Sequence, residues 1–258
     1  MIDVTALILT YNEAENIERT LAAVQWVRRV VMLDSGSTDR TDDLAKAANP
    51  GVIIEQRTFD THAAQWNHGL SLVDTEWVLS LDADYEVSER LADEIQKLEP
   101  LSDVAGYEAS FEYRIFGRSL RGSLYPAHVV LFRRPRCSYH DEGHTQRLTV
   151  NGKVLPLQGR IYHDDRKPLR RWIQSQVRYA EVEANHLLRS SAAELNFQDR
   201  IRRKIYFAPI LIFCYLLVWR GLMFDGWRGW YYISQRVIAE LLLSIRLLEE
   251  KKHLKEMA

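Results

Sequence analysis

The sequence predicts an α/β fold built around a doubly wound, mostly parallel sheet. Strand and helix patterns alternate four times within residues 1–100, as they do in such sheets. Three of the predicted strands end in polar or acidic residues, at the edge where open α/β sheets bind their ligands. The chain has 258 residues, 47% of them apolar and 27% charged, which is typical of a globular protein.

The elements of this fold follow from short apolar runs and from helical spacing. Apolar runs predict strands over residues 4–9, 29–33, 52–55 and 77–81. Helical spacing predicts helices over residues 41–48, 61–72, 88–98 and 168–188. A further helix is expected to begin at Asn12, because Glu15 follows three residues later, as in an N-cap with its partner. Residues 106–165 carry few helical signals, and strands over 107–116 and 128–132 predict a mixed second half of the sheet.

Two carboxylates directly follow the strand over residues 77–81. Asp82 and Asp84 are one residue apart and repel each other unless a cation neutralises them, and oxygen ligands suit Mg²⁺ or Mn²⁺. An acidic turn that leads into the next helix is the alternative. The chain has no Gly-rich phosphate loop, so a phosphate ligand would have to be neutralised by the metal. At the neighbouring strand ends, Tyr11 could cover a base, and Asp34 could accept a hydrogen bond from an imide or a ribose hydroxyl.

Three ordered blocks resemble the signature blocks of a known family. They are Leu-Thr-Tyr-Asn-Glu at 9–13, Leu-Asp-Ser-Gly-Ser-Thr-Asp-Arg-Thr at 33–41 and Leu-Asp-Ala-Asp at 81–84. They are similar to those of inverting, nucleotide-sugar-dependent glycosyltransferases of family 2, which have the GT-A fold. Within that family, the chain most resembles small bacterial enzymes of lipopolysaccharide core and cell-surface glycan assembly. The resemblance covers about residues 1–190 and implies a Rossmann-like mixed sheet, with a nucleotide-binding half over 1–100 and an acceptor half over 101–199.

The resemblance implies a donor site for a UDP-hexose. Thr10, Tyr11 and Asp34 would hold the uridine, and Asp39 would shape the loop after the second strand. Other members of the expected donor site lie beside these residues in the same blocks: Asn12, Glu13, Gly36, Asp82 and Ala83.

The resemblance also implies a metal site. Asp82 would face the ribose and the metal, and Asp84 would bind the Mn²⁺ or Mg²⁺ that bridges the diphosphate. His163 would supply the remaining protein ligand, with a purely structural histidine as the alternative. Trp66 and Asn67 stand where relatives often carry a basic residue followed by asparagine, so a diphosphate contact there is not implied.

An inverting transfer needs a base on the far side of the sugar from the leaving group. The stretch over residues 139–145 combines adjacent acids, histidines and a glycine, and it resembles the acidic motif that holds the base in the family. Glu142 is preferred over Asp141 as the base, and His144 would orient it or contact the donor diphosphate. Simple capping of a turn is the alternative.

The last 59 residues, 200–258, differ in composition from the rest of the chain. Residues 205–219 carry no charge, but this run is shorter than the roughly 20 residues of a membrane span and contains Pro209. Arginines and lysines lie on both sides, and Trp and Tyr residues lie among them. We therefore expect a membrane-associated helical tail that is interfacial or re-entrant. A hairpin packed on the domain, or on a second subunit of a homodimer, is the alternative.

Composition limits where the protein acts and what it binds. A net charge of −1 offers no electrostatic basis for binding nucleic acid. The two cysteines, Cys137 and Cys214, form no disulfide framework and favour a reducing compartment. The N-terminus does not have the pattern of a signal peptide. We expect a cytoplasmic protein that is peripheral on the inner face of the cytoplasmic membrane.

The leading functional hypothesis is a metal-dependent hexosyltransferase that moves sugar from UDP to a lipid-anchored glycan of lipopolysaccharide or cell-surface polysaccharide. A variant hypothesis has a polyprenyl phosphate as acceptor, which is already ionised and needs no base. A sugar nucleotidyltransferase should carry a Gly-rich loop with a lysine after the first strand, where this chain has Tyr11, Asn12 and Glu13. The non-enzymatic alternative is a membrane-docked nucleotide-binding scaffold.

Overall fold

The structure is a computed structural model that describes residues 2–142, 145–191, 193 and 195–256, except for the side chains of residues 142, 145 and 253–256. The chain forms two compact units. The first comprises Met1–Arg118 and Leu124–Arg166, and the second comprises Ser119–Ser123 and Lys167–Ala258. This division differs from the domain boundary at residue 199 that the sequence predicts.

The first half of the first unit alternates strands and helices as predicted. Its elements are β1 (Val4–Thr10), α1 (Ile17–Ala22), β2 (Arg29–Asp34), α2 (Thr41–Ala48), β3 (Ile53–Gln56), α3 (His62–Ser71), β4 (Trp77–Asp82), β5 (Tyr85–Val87) and α4 (Glu89–Gln96). The side chains of Thr61 and Ser88 cap α3 and α4 by accepting hydrogen bonds from backbone amides of the first turn. The predicted α/β class is confirmed.

The second half of this unit is mostly strands, also as predicted. Its elements are β6 (Val104–Ile115), β7 (Arg118–Ser119), β8 (His128–Arg133), a 3₁₀ turn (Arg134–Arg136), β9 (Cys137–Glu142), β10 (Thr145–Val150) and β11 (Lys153–His163). The main sheet has the order β3-β2-β1-β4-β8-β6-β11-β5, and β7 pairs with β6. Strands β1 to β4 are parallel, β8 is antiparallel to β4 and β6, and β5 is antiparallel to β11. The sheet is therefore mixed, as the GT-A resemblance implies.

The central strands of the sheet are buried on both faces. Ala6, Leu7 and Ile8 of β1 are fully buried, and so are Val78 and Leu79 of β4. Continuous apolar runs of this kind are expected where helices cover a parallel sheet on both sides. This packing gives the carboxyl ends of the strands a rigid base.

One predicted helix start is wrong. Helix α1 begins at Ile17, with Asn16 as its N-cap residue, rather than at Asn12. Asn12 has a φ of 55°, in the left-handed region, and its side chain is bonded to the loop after β2. The local pattern predicts that the Asn12 side chain caps a helix. In the structure this side chain instead accepts a hydrogen bond from a loop that is distant in the sequence.

The second unit is helical. It contains α5 (Leu169–Arg189), α6 (Phe197–Arg202), α7 (Ala208–Cys214), a π-helical turn (Tyr215–Trp219), a 3₁₀ turn (Leu222–Asp225) and α8 (Gly226–Glu256). Over the part of the chain that the structure describes, no helix is by itself long and apolar enough to cross a membrane. Ala208–Trp219 and Leu222–Lys252 meet that criterion only as a pair, which is bent by 71°.

Helix α5 belongs to this unit because it packs on α8. The contact is made by a shared apolar cluster that includes Ala184, Leu187, Leu243 and Leu247. At the same place Arg202 donates hydrogen bonds to Glu240 at 2.6 and 3.0 Å. A boundary at residue 199 would divide this cluster, which is why the compact unit begins before α5.

Candidate active site

Three strand ends form one edge of the sheet. In the parallel register, Thr10 at the end of β1 lies opposite Asp34 at the end of β2. On the other side of β1, Leu9 lies opposite Asp82 at the end of β4. The three blocks of the sequence pattern are therefore brought together at the carboxyl edge, where ligands bind in open α/β folds.

The loops after β1 and β2 are bonded into one structure by Asn12. The Oδ1 atom of Asn12 accepts hydrogen bonds from the backbone amides of Thr38 (2.6 Å) and Asp39 (3.2 Å). In the other direction, the amide of Asn12 donates to Ser37 Oγ at 2.7 Å, and that of Glu13 donates to Thr41 Oγ1 at 2.7 Å. These four hydrogen bonds join the two loops.

Asp34 is fully buried and shapes the loop that follows it. Its carboxylate accepts hydrogen bonds from the amides of Gly36 (3.0 Å) and Ser37 (2.7 Å), and from the Ser37 hydroxyl. Gly36 has a φ of +87°, which favours glycine. A Cβ at Gly36 would meet no described atom within 4 Å, so this turn of backbone faces open space.

The other residues that are predicted to bind the nucleotide sugar differ in their exposure to solvent. Tyr11 is 46% exposed at the edge, so its ring is accessible to a planar ligand. Thr10 is buried, and among the described residues its Oγ1 has no hydrogen-bond partner. Glu13 is also buried and accepts a hydrogen bond from Asn16 at 2.9 Å. The Ala83 carbonyl accepts a hydrogen bond from the Thr20 hydroxyl, which fixes the turn between Asp82 and Asp84.

Asp84 and His163 are brought together although 79 positions separate them in the chain. The pairing of β11 with β5 places His163 opposite Tyr85, the residue after Asp84. His163 Nε2 lies 3.4 Å from Asp84 Oδ2, and both side chains are nearly buried. This is an ion-pair distance, and it is also compatible with two ligands on adjacent positions of an octahedral ion, which lie roughly 3 Å apart when the bonds are about 2.1 Å.

Asp84 and His163 fit a divalent cation whose other ligands come from a phosphate-containing substrate and from water. Among the described residues, no group of three or more His, Cys, Asp or Glu side chains is close enough to hold an ion, so Asp82 does not join Asp84 and His163 in a three-residue cluster. The buried Nδ1 of His163 has no hydrogen-bond partner in the part of the chain described. Mg²⁺ and similar ions commonly take one or two protein ligands and complete their shell with phosphate and water.

Three tyrosines that the sequence analysis did not identify surround His163. The rings of Tyr85, Tyr113 and Tyr125 lie 5.2, 4.7 and 4.9 Å from the imidazole ring. The hydroxyl groups of Tyr85 and Tyr125 are hydrogen-bonded to each other. Burial, together with the negative charge of Asp82, raises the pKa of both tyrosines well above the ordinary value. Their hydroxyls therefore stay protonated and can donate hydrogen bonds at this edge of the sheet.

His128 extends this aromatic group. Its ring stacks on Phe111, with centroids 4.3 Å apart. Burial lowers the pKa of His128 to about 4, against the opposing effect of a hydrogen bond to the backbone of Pro126. Near neutral pH His128 is therefore uncharged and adds no positive charge beside His163. Phe111 and Tyr113, two positions apart on one predicted strand, are the part of this group that the sequence could have indicated.

The strand that carries the predicted base residues lies against α3. Asn67 donates from Nδ2 to the Tyr139 carbonyl (2.8 Å) and accepts at Oδ1 from the Tyr139 amide (3.0 Å). The ring of Trp66 stacks on Tyr139 at 5.2 Å. Asp141 Oδ1 accepts a hydrogen bond from the Ala63 amide in the first turn of α3, at 3.2 Å. Trp66 and Asn67 therefore hold β9 in place.

Two of the three predicted residues for the chemical step are not described in full. Glu142 is the last residue of β9, but its side chain lies outside the described part of the structure, and His144 lies outside it entirely. Tyr139, which lies on the same strand as Glu142, relates the position of β9 to that of Asp82. Burial and the charge of Asp82 raise the pKa of Tyr139, while a hydrogen bond with Ser80 opposes them. The side chain of Tyr139 is therefore near the end of β4.

The chain segment after His163 is held by a buried carboxylate. Asp164 is 1% exposed, and its Oδ2 accepts hydrogen bonds from Arg166 at 2.8 and 3.0 Å and from the Gly117 amide at 2.8 Å. Arg19 donates to the Asp164 carbonyl at 2.9 Å. These contacts fix the position of His163 from its C-terminal side. Sequence reasoning missed Asp164, since an acid in a polar run looks like an ordinary surface residue.

Comparison with known proteins gives a family match over most of the first unit. The model of the family described as "Glycosyl transferase family 2" matches residues 5–154. An uncharacterized glycosyltransferase of Rickettsia prowazekii is 24% identical over 230 residues, covering 83% of this chain and 75% of the relative. Another, of Rickettsia bellii, is 33% identical over 94 residues, covering 36% of this chain. That alignment spans about a third of the relative, 31% of its length.

Among solved structures, a similar one is the glucosyl-3-phosphoglycerate synthase of Mycobacterium tuberculosis in complex with Mn²⁺, UDP-glucose and phosphoglyceric acid. It is 16% identical to this chain and has a TM-score of 0.49. The superposition covers 73% of this chain and 79% of the other.

Proposed function

Because the chain belongs to glycosyl transferase family 2, we propose that it transfers a hexose from a nucleotide sugar, a UDP-sugar, to an acceptor with inversion at the anomeric carbon. The observation that carries the proposal is the Asp84–His163 pair, whose side chains are 3.4 Å apart at the edge formed by the ends of β1, β2 and β4. A nucleoside diphosphate bound along this edge would reach the pair with its phosphates.

The proposed donor site uses the two bonded loops and the acidic turn. Tyr11 is exposed and would cover the uracil, while the Asp34 loop, fixed by Asn12, would contact the uracil and ribose. Asp82 would accept from the ribose, and Asp84 and His163 would hold Mn²⁺ or Mg²⁺. When bound, the ion would neutralise the charge that develops on the leaving diphosphate.

The proposed chemical step is a single in-line displacement. The acceptor hydroxyl loses its proton to a carboxylate and forms a bond to the anomeric carbon, while the bond to the diphosphate breaks. We assign Glu142 as this base, because Asp141 accepts a hydrogen bond from the N-terminus of α3 and so has a structural role in holding β9. His144 would contact the base or the diphosphate.

The proposed acceptor is a lipid-anchored glycan at the inner face of the cytoplasmic membrane, as in lipopolysaccharide or cell-surface polysaccharide synthesis. Exposed aromatic and basic side chains of the second unit support this location, since such residues are typical of membrane-bound surfaces. A polyprenyl phosphate is the alternative acceptor. It is already ionised, so a Glu142→Gln variant would keep its activity with that acceptor and lose it with a hydroxyl acceptor.

Replacement of the carboxylate in the proposed metal pair tests the proposal. UDP release from a panel of UDP-hexoses is measured with Mn²⁺ and, separately, after chelation. We expect one donor to be turned over by the natural protein, and Asp84→Asn to lower that rate by about a hundredfold or more, because one of two protein ligands loses its charge. Turnover should also be lost on chelation.

The matched control is Asp93→Asn, which changes an exposed carboxylate on α4. This variant should keep the natural rate. Full turnover by Asp84→Asn, or no binding of UDP with Mn²⁺ by the natural protein in calorimetry, would reject the proposal.

A further inference from the structure

Large apolar side chains are exposed together at one turn of the second unit. The interfacial turn, as we name residues 215–230, comprises the π-helical turn, the 3₁₀ turn and the start of α8. Trp219 is 80% exposed and Phe224 is 68% exposed. Other exposed apolar residues of the turn are Tyr215, Val218, Met223, Trp227 and Trp230. Isolated exposed apolar residues are common, but seven within sixteen positions indicate a binding surface.

The backbone of the interfacial turn is held in a defined shape. Gly221 and Gly226 have positive φ values of 69° and 59° at the two ends of the 3₁₀ turn. A Cβ at Gly229 would lie 1.9 Å from the Leu222 carbonyl oxygen, so the 3₁₀ turn packs directly on the backbone of α8. Asp225 accepts a hydrogen bond from the Arg121 amide at 2.9 Å. The exposed rings are therefore presented on a rigid support.

Positive charge lies beside these rings. Residues 215–230 contain two arginines, Arg220 and Arg228, and one acidic residue, Asp225. The single acid is also paired, since Arg121 Nε lies 3.3 Å from its carboxylate. This part of the chain is therefore complementary to an anionic surface.

Three arginine guanidinium groups lie beside exposed rings of the turn. Arg228 lies 4.4 Å from the centre of the Trp227 ring. Arg220 lies 5.6 Å from the Tyr215 ring, and Arg121 lies 5.6 Å from the Phe224 ring. Aromatic rings with adjacent arginines are typical of the headgroup layer of a bilayer, where the ring enters the apolar boundary and the cation meets phosphate.

We propose that the interfacial turn inserts into the headgroup layer of a bilayer that carries anionic lipids. Trp219 and Phe224 enter the acyl boundary, and Arg220 and Arg228 bind lipid phosphates. A second copy of the chain fits this surface less well, because an isologous pairing would bring the arginines of both copies together. The inference deepens the proposed function and rests on it for the membrane-anchored acceptor, but lipid binding is measurable without the reaction.

Vesicle sedimentation with the full chain tests the inference. Vesicles of pure phosphatidylcholine are compared with vesicles containing three parts in ten of phosphatidylglycerol. We expect at least tenfold tighter binding to the anionic vesicles, because arginines lie beside the exposed rings, and weaker binding at higher salt. The variant Arg228→Gln should lose part of this preference; Arg220 is kept, because it also donates to the Ser123 carbonyl at 2.5 Å.

The apolar contribution is tested with a pair of variants matched in exposure. Phe224→Ser removes a ring of the turn, whereas Leu101→Ser changes a residue of the first unit that is also 68% exposed. Phe224→Ser should weaken binding to anionic vesicles at least tenfold, and Leu101→Ser should leave it unchanged. Calorimetry with UDP and Mn²⁺ should give the natural affinity for both variants, which shows that they are folded.

Each contrary result has a defined meaning. Equal vesicle binding by Phe224→Ser and the natural protein would overturn the inference. So would the absence of vesicle binding together with a concentration-dependent dimer that Phe224→Ser abolishes, since the occupant would then be a second copy. If the natural protein binds vesicles through this turn but not UDP, the proposed function fails and the membrane contact stands.

Discussion

Gly36 is a residue whose conformation decides the shape of the proposed donor site. Its φ of +87° lets the chain turn so that the amides of Gly36 and Ser37 both donate to the buried Asp34 carboxylate. An L-residue in this region is strained by about 1–2 kcal/mol. The role of Asp34 thus depends on the glycine two positions after it, and a substitution should affect both stability and nucleotide binding.

Gly36→Ala should therefore lower the free energy of unfolding by about 1–2 kcal/mol, measured by urea titration. Because a Cβ would meet no described atom within 4 Å, the effect comes from the backbone and not from a clash. We also expect UDP affinity to fall about tenfold, or by about 1.4 kcal/mol, as the loop relaxes.

Gly51→Ala serves as the control, because Gly51 has no positive φ and an added Cβ makes only an ordinary contact of 3.4 Å with Asn49. It should be neutral or slightly stabilising. A Gly36→Ala protein with natural UDP affinity would separate this loop from the donor site.

At the scale of elements, side chains and backbone amides of α3 hold β9 in position. The side-chain amide of Asn67 pairs with both backbone groups of Tyr139, as a neighbouring strand would, and Trp66 stacks on the Tyr139 ring. The first turn of α3 also donates to Asp141. Since Glu142 is the last residue of β9, the backbone of the strand that carries the proposed base is held by a helix with no proposed catalytic group.

Asn67→Ala should lower the free energy of unfolding by about 1–3 kcal/mol, because the amide and carbonyl of Tyr139 lose their partners. We expect kcat for transfer to fall about tenfold while the Kd for UDP stays unchanged, since the donor loops do not contact Asn67 through any described hydrogen bond.

The comparison variant is Asn185→Ala. Asn185 also donates to a backbone carbonyl, that of Glu181, but this is a single hydrogen bond within α5. This change should stay within about 0.5 kcal/mol of the natural stability. If Asn67→Ala lowered stability and left kcat unchanged, the contact between Asn67 and the backbone of Tyr139 would have a purely structural role.

At the scale of the whole molecule, the two compact units differ in what stabilises them. The first is organised by a sheet whose central strands are buried, and the second by the packing of α5 on α8. In the second unit, Arg202 is bonded to Glu240 and lies 3.5 Å from Glu183, so one arginine neutralises carboxylates on both helices. Removal of either helix would expose the apolar side chains of the other helix to water, and it would leave charged groups of the Arg202 cluster without their partners.

A chain that ends at residue 199 should therefore fail to protect α5. It lacks Leu243 and Leu247, which cover Ala184 and Leu187 in the full chain. We expect limited trypsin digestion to cut at Arg178 at least tenfold faster than in the full chain, because α5 unfolds locally more often. The fragments are identified by mass spectrometry.

The control is a chain that ends at residue 252, which keeps both leucines and should digest like the full chain. Equal protection of Arg178 in the chain that ends at 199 would support the domain boundary that the sequence predicts, rather than the compact units of the structure.

The sequence by itself determined the fold class and the edge where the site lies. Apolar runs of strand length and helical spacing are local, so the alternation of β1 to α4 could be predicted. Polar or acidic residues at the ends of three strands, such as Asp34 and Asp82, predicted the edge because parallel strands end on the same side. The start of α1 could not be found in this way, because the Asn12 side chain bonds to a loop 26 positions away.

Only the tertiary structure decided which distant side chains meet. The spacing of Asp84 and His163 follows from the register of β11 on β5, and the three tyrosines around His163 come from separate strands and loops. The hydrogen bonds of Asn67 to β9 and the packing of α5 on α8 likewise join residues that are far apart in the chain. Periodicity in a sequence records which face of an element is buried. The partner of that face depends on strand order and register, which are settled only when all the elements pack together.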